Sequence, residues 1–197
     1  MKSPADPSGL CVLSVSMSVL NPRNTWHDTK RDDREAPELA DTAVSAQVSS
    51  MNGVGIVAER AMWWPGPSAS SWQEAHGSPG ATSAAPRWAI ADGELGGGRG
   101  VATYVLVANT SAIDSQVEVT LLFESAAPVS RTFAVRAHSR FNVDVAALFP
   151  EAHERRFGAV VQSLTAGASI VVERAIYWNA NGVVWAAGTD SLAMPLP

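Results

Sequence analysis

The sequence predicts an all-β protein built around an antiparallel β-sandwich, and three observations carry that reading. Between residues 87 and 197, short runs of β-branched and other apolar residues alternate with turn residues, at the spacing of about 8–12 residues typical of sandwiches. Charged residues make up 17 % of the 197, and seven tryptophans stand beside two lysines, a balance that suits half-buried strands better than solvated helices. Finally, a sixteen-residue segment recurs 114 positions downstream, and that period is the length of one small sandwich domain.

The elements follow in order. Residues 1–11 read as a disordered N-terminus or a false start. In 12–20, Ser14, Ser16 and Ser18 alternate with Val15, Met17 and Val19, the period of a half-buried strand. A secretory leader fits this segment less well, because Pro4, Asp6 and Pro7 interrupt the region that should be basic. Further strands are predicted at 43–49 and 55–64, with the charged stretch 30–38 before them. Residues 65–86 are rich in Pro, Gly, Ser and Ala and read as a linker. Beyond it, strands are predicted at 87–91, 102–108, 116–124, 129–136, 140–145, 159–163, 170–178 and 183–186. Within 131–136, Phe133 and Val135 face one way and Thr132, Ala134 and Arg136 the other. A short helical turn is expected at 145–149, stopped by Pro150.

The repeat organises the chain. Residues 49–64, SSMNGVGIVAERAMWW, align without a gap on 163–178, SLTAGASIVVERAIYW, with eight of the sixteen positions identical. Fainter similarity lays 19–28 on 135–144 and pairs Trp72 with Trp185 and Ser78 with Ser191. Nothing in the first copy matches 87–125. The organisation predicted is therefore a partial repeat at 12–64, the linker at 65–86, and a nearly complete repeat at 87–197. Half a sandwich exposes strand edges and an apolar face. Either the chain is a piece of a longer tandem array, which is the reading preferred here, or the half unit packs on the whole one.

Composition excludes several function classes. Fourteen Lys and Arg against nineteen Asp and Glu give a net charge of −5, which argues against nucleic acid and anionic membrane as main partners. Cys11 is the single cysteine, so neither an internal disulfide nor a four-thiolate metal site can form. The long uncharged stretch 157–172 is too short and too polar to span a bilayer, and no membrane insertion is expected.

The residues that could carry chemistry are few. Glu59-Arg60 and Glu173-Arg174 are the strongest repeated polar feature. Neighbours in a strand point to opposite faces, so each arginine is expected to tie its sheet to a loop carbonyl or to stack on a tryptophan. His76, with Asp92 and Glu94 downstream, invites a metal or general-base reading. Its counterpart in the second copy is Thr189, which favours a surface-loop role. His27 and His138 are scattered, and His153-Glu154 lacks a second histidine because Phe157 occupies the position four residues on. The run 93–100, GELGGGRG, lacks the Lys-Ser/Thr ending of a phosphate loop and precedes a strand rather than a helix. No G-x-S-x-G elbow occurs. Asn109-Thr110-Ser111 matches the glycosylation sequon. Trp64 and Trp178 recur at the same strand end, which core packing explains, while a flat aromatic platform for sugars is the functional alternative. No catalytic, metal or cofactor site is predicted.

The string ERAMWW (59–64), then Trp72, then HGSPGA (76–81), PRWAIADG (86–93) and VLVANT (105–110), resembles a tandem repeat of large secreted or surface bacterial proteins. There a strand ending ERAMYW leads through a tryptophan and a glycine-rich turn to a W-x-F-A-E-G strand. Departures are Ala75 before the histidine, Asp92 in place of glutamate and Thr110 in place of proline. The resemblance implies an Ig-like sandwich without catalytic residues, at the cell surface or secreted. It implies a structural or adhesion-type role whose partners are neighbouring repeats or other surface proteins. The alternative is a carbohydrate-binding module that presents Trp72, His76 and Trp88 to glycans.

Overall fold

The computed structural model describes residues 13–19, 44–50, 54–65 and 72–197, and the chain there is all-β. The strands in chain order are β1 (Leu13–Val19), β2 (Val44–Ser50), β3 (Glu59–Pro65), β4 (Trp72–Pro79), β5 (Arg87–Leu95), β6 (Ala102–Asn109), β7 (Ser115–Phe123), β8 (Val129–Val135) and β9 (Ser139–Asp144). The helical turn α1 (Val145–Leu148) and a 3-10 turn (Pro150–Ala152) lead into β10 (Arg155–Ser163), β11 (Ile170–Ala180), β12 (Val183–Leu192) and β13 (Met194–Pro195). Two sheets form the sandwich, in the orders β13-β5-β10-β7-β8 and β12-β11-β6-β9, and every pairing is antiparallel.

Alternation builds the core. On β6 the alternate residues Val105 and Val107 turn inward, as do Val117, Val119 and Leu121 on β7 and Ile170 and Val172 on β11. Burying each such side chain contributes about 1.5–3 kcal/mol. Trp88 sits among them at 1 % exposure, and its indole N–H donates to the carbonyls of Ile170 (2.8 Å) and Ala85 (3.0 Å), tying the entry of β5 to β11. The backbone of Ala85 also exchanges both hydrogen bonds with Ile170. Asp144 caps α1 by accepting from the amide of Ala147, and Pro150 ends the helix by removing a donor.

Some elements differ from expectation, each for a local reason. The hairpin β11–β12 runs on to a turn at Asn181-Gly182, where both residues have positive φ (52° and 76°), as a two-residue hairpin turn requires. Residues 72–79, expected in the linker, form β4 and pair with β3. An outer strand tolerates the Gly77 and Pro79 that made the segment read as linker. In turn, 54–58 is not a strand although it was predicted as the start of one. Residues 1–11, the charged stretch 30–38, Cys11 and His27 lie outside the described residues.

The two copies of the repeated segment form the same hairpin. Arg60 stands opposite Ser78 and Met62 opposite His76, just as Arg174 stands opposite Ser191 and Ile176 opposite Thr189. The first hairpin, β3–β4, is a two-stranded sheet, and its β4 lies against β12.

A polar cluster and an aromatic group on the outer sheet face

Paired residues in an antiparallel ladder share a face. Arg174 and Ser191 therefore point into the sandwich, while Glu173, Tyr177 and Asp190 point outward with Tyr104 of β6 and Arg140 and Asn142 of β9. The first hairpin brings Arg60, His76 and Ser78 to this outer face. The guanidinium of Arg60 pairs with Glu173 (2.9 Å) through one nitrogen and with Asp190 through the other. Ser78 donates its hydroxyl to the same Asp190 oxygen (3.0 Å). His76 Nδ1 lies 2.7 Å from the other Asp190 oxygen and 3.2 Å from the Asp190 amide nitrogen. The Asp190 amide donates to Nδ1, and the carboxylate beside it completes an ion pair when the imidazole is protonated. The Asp190 side chain is 2 % exposed, so a buried carboxylate meets a guanidinium, a hydroxyl and an imidazole, all from the other repeat.

Burial governs the neighbouring groups. It lowers the Arg140 pKa to about 10, with Glu173 opposing that shift and Arg60 adding to it. The guanidinium of Arg140 donates to Asn142 on its own strand. Burial also raises the Tyr177 phenol, against the pull of Arg60 and Arg140.

Serine, histidine and aspartate thus meet, but not as a nucleophilic relay. A relay needs the serine on the imidazole nitrogen remote from the aspartate, whereas Ser78 donates to the carboxylate itself. His76 is not brought to Asp92 or Glu94. Asp92 pairs with Arg174, and Glu94 accepts from Arg156 (3.2 Å). Among the described residues no group of three or more His, Cys, Asp or Glu is placed to hold a metal.

Beside the cluster, Tyr177 stacks on Trp185 at 5.6 Å, and Tyr104 meets both edge-on at 6.2 and 6.1 Å. A bulge makes this group. Trp178 pairs with Ala187 while Ala180 pairs with Val183, so β12 spends two extra residues there. Trp185 takes a φ of 53°, uncommon for a bulky residue, and its amide donates to Asn179 Oδ1 (3.1 Å).

The other singled-out residues are placed as follows. Arg174 donates to the carbonyl of Asp92 (3.1 Å) and to its carboxylate, crossing from β11 to β5. The arginine over Trp178 is Arg99, at 5.3 Å from the ring centre, rather than either repeat arginine. Trp88, named as a platform for glycans, is enclosed in the core and presents no ring face to a ligand. Glu59 opens β3 and is exposed, whereas the side chains of Trp64 and Trp72 lie outside the described residues. The sequon asparagine, Asn109, is 1 % exposed, and its amide nitrogen donates to Ile113, Val135 and Arg136, so it serves as a loop brace rather than a glycan acceptor. In the glycine run, Gly97 N donates to Glu154 Oε2 (3.0 Å), so a carboxylate of the chain already holds that amide. A shallow cleft of about 410 Å³ opens beside this run, lined by Leu95, Gly96, Val101, Ala146, Pro150 and His153.

Sequence reasoning passed over Asp190 and Arg140. The register sets Asp190 against Ala175 as it sets Gly77 against Ala61, so the duplicated motif held no trace of the acid.

No protein-family model matches the sequence, and no curated protein does. Among solved structures the fold is similar to that of Thermotoga maritima 1070, with a TM-score of 0.51 and 13 % identity, over 58 % of this chain and 97 % of that one. The matched share is about the length of one repeat period. The Anabaena sensory rhodopsin transducer is 27 % identical over 47 % of this chain and 97 % of its own, with a TM-score of 0.39. The likeness to the Thermotoga protein speaks to the fold alone, and the chain is an all-β antiparallel sandwich.

Proposed function

We propose that this chain is a non-catalytic structural or adhesion-type module of a secreted or surface-exposed bacterial protein, in which sandwich repeats dock on one another. The observation that supports it most directly is the joint made by Arg60 with Glu173 and Asp190. The charged groups of this joint pair with each other across the two repeats. They hold parts together instead of turning toward a reactant. Protease treatment of intact source cells tests the reading. Loss of the full-length band before lysis is the expected result, and protection until the cells are broken would overturn it.

A second reading is favoured by one observation, the group of Tyr104, Tyr177 and Trp185. Aromatic rings on a sheet face pack against the C–H faces of sugars, and a strained bulge that re-aims a tryptophan is a feature found near binding sites. A glycan array run with the parent chain and with Trp185→Ala decides it. Binding to a defined glycan that the variant loses supports the module, and equal signals from both remove it.

A further inference from the structure

The duplication supplies its own control for what belongs on the free edge of β3. In the complete repeat, β11 pairs with β12 on one edge and with β6 on the other, from Ile170 opposite Asn109 to Tyr177 opposite Ala102. The offset of 114 carries those eight positions onto 56–63. The first hairpin keeps the β12-like partner, β4, but among the described residues no strand pairs with the opposite edge of β3. The consequence is visible in matched residues. Ile170 is fully buried, whereas its counterpart Ile56 is 39 % exposed. Val171 is half-buried beneath its neighbours, whereas Val57 is 88 % exposed. Ile56 and Val57 match Ile170 and Val171, yet 54–58 does not extend as strand where Ile170 and Val172 are gathered into the core.

We infer that 56–63 is a docking edge for an extended strand of a partner polypeptide with the chemistry of β6: uncharged, about eight residues long, with β-branched side chains alternating along it. Such a strand would add main-chain hydrogen bonds to β3 and cover Ile56 and Val57, in the manner of β-strand addition to an exposed edge. A charged strand is disfavoured, because β6 offers no charge to β11 along the ladder. The inference deepens the docking-module reading and rests on it for the kind of partner. Its test uses no cells, so failure here leaves surface location to be judged by protease protection.

The probe is a fluorescent peptide with the sequence of residues 101–110, titrated into the full chain and followed by anisotropy, with amide hydrogen exchange on the same mixture. The expected result is saturable binding that slows exchange within 56–63 about tenfold, with a scrambled peptide binding about tenfold more weakly. Ile56→Pro and Val57→Pro extend the test. Successive amides point to opposite edges, so one of the two removes a donor from the open edge whatever the register. Both positions lie outside the β3–β4 ladder, which begins at Glu59, so the hairpin itself survives. At least one variant is expected to lose about tenfold in affinity. Equal binding of the scrambled peptide, protection confined to other strands, or parent-like affinity in both proline variants would each overturn the proposal. Protection of 56–63 that rises with protein concentration alone, together with a doubled mass, would overturn it in favour of a second copy as the occupant.

Discussion

Replacing Arg174 by alanine removes one tie between the two sheets, and the structure sets the size of the loss. The side chain is 9 % exposed and reaches the carbonyl of Asp92 at 3.1 Å. Losing a hydrogen bond from a charged donor costs about 1.5–3 kcal/mol. Losing the buried methylenes adds about 0.8 kcal/mol for each one removed. The Asp92 carboxylate adds little, because it is 77 % exposed and exposed ion pairs contribute about 0–1 kcal/mol. Against these terms, Arg174 Nε is buried without a partner, and deleting it returns part of the desolvation cost. The net destabilisation is about 2–3 kcal/mol, which for a chain of this length lowers the Tm by roughly 5–10 °C. Urea unfolding followed by tryptophan fluorescence measures it, with a lower midpoint at unchanged slope expected. Arg174→Met keeps the stem and should recover about half of the loss. Asp92→Ala keeps the carbonyl and should cost less than about 1 kcal/mol. A Tm for Arg174→Ala within about 1 °C of the parent would refute the argument, and so would equal losses in Arg174→Ala and Asp92→Ala.

Three further outcomes are expected. Arg60→Ala should speed hydrogen exchange across 72–79 while costing at most about 1 kcal/mol globally, because Arg60 is 37 % exposed; unchanged exchange there would sever the hairpin from the cluster. Gly188→Ala should cost about 1–3 kcal/mol, since the new Cβ would stand 2.7 Å from the Tyr177 ring and 2.8 Å from the backbone oxygen of Ile176; a parent-like urea midpoint would show that the hairpin yields. The hydrogen bond from Arg131 holds the exposed Glu151 carboxyl below its ordinary value of 4.5. A depressed acid stabilises above its unfolded pKa and stops doing so as pH falls through the folded one. Glu151→Gln should therefore melt slightly below the parent at neutral pH and with it in acid, and a difference that persists in acid would contradict the assignment.

The sandwich was legible because its strands alternate and its turns carry glycine and proline. The expected 102–108 and 129–136 differ from the observed strands by a residue each, and the helical turn before Pro150 is present. β4 was hidden because an outer strand is free of the constraints that make inner strands recognisable, so Gly77, Ser78 and Pro79 gave the signal of a linker. Arg174 could be read in part. Alternation fixed its face and its chemistry called for a carbonyl, but which carbonyl depended on β5 lying across the sandwich. Asp190 could not be read, because its meaning lies in contacts with residues more than a hundred positions away. Trp88 shows the complementary limit: residue type announced an aromatic face, and only packing decided that both faces were taken.

The joint between the repeats also carries its own stop. A contact that propagates head to tail needs every member to offer one half and to accept the other, and an operation that fails to close generates open filaments. Here the first hairpin offers an arginine, but where the second has Asp190 it has Gly77 and no carboxylate to receive another. The second hairpin has the receiving acid, while its own arginine is turned inward and engaged by Asp92. Each hairpin therefore holds one half of the connector, and the connection is exhausted after a single step. A protein that duplicated a β-hairpin has made its two copies unequal at this joint.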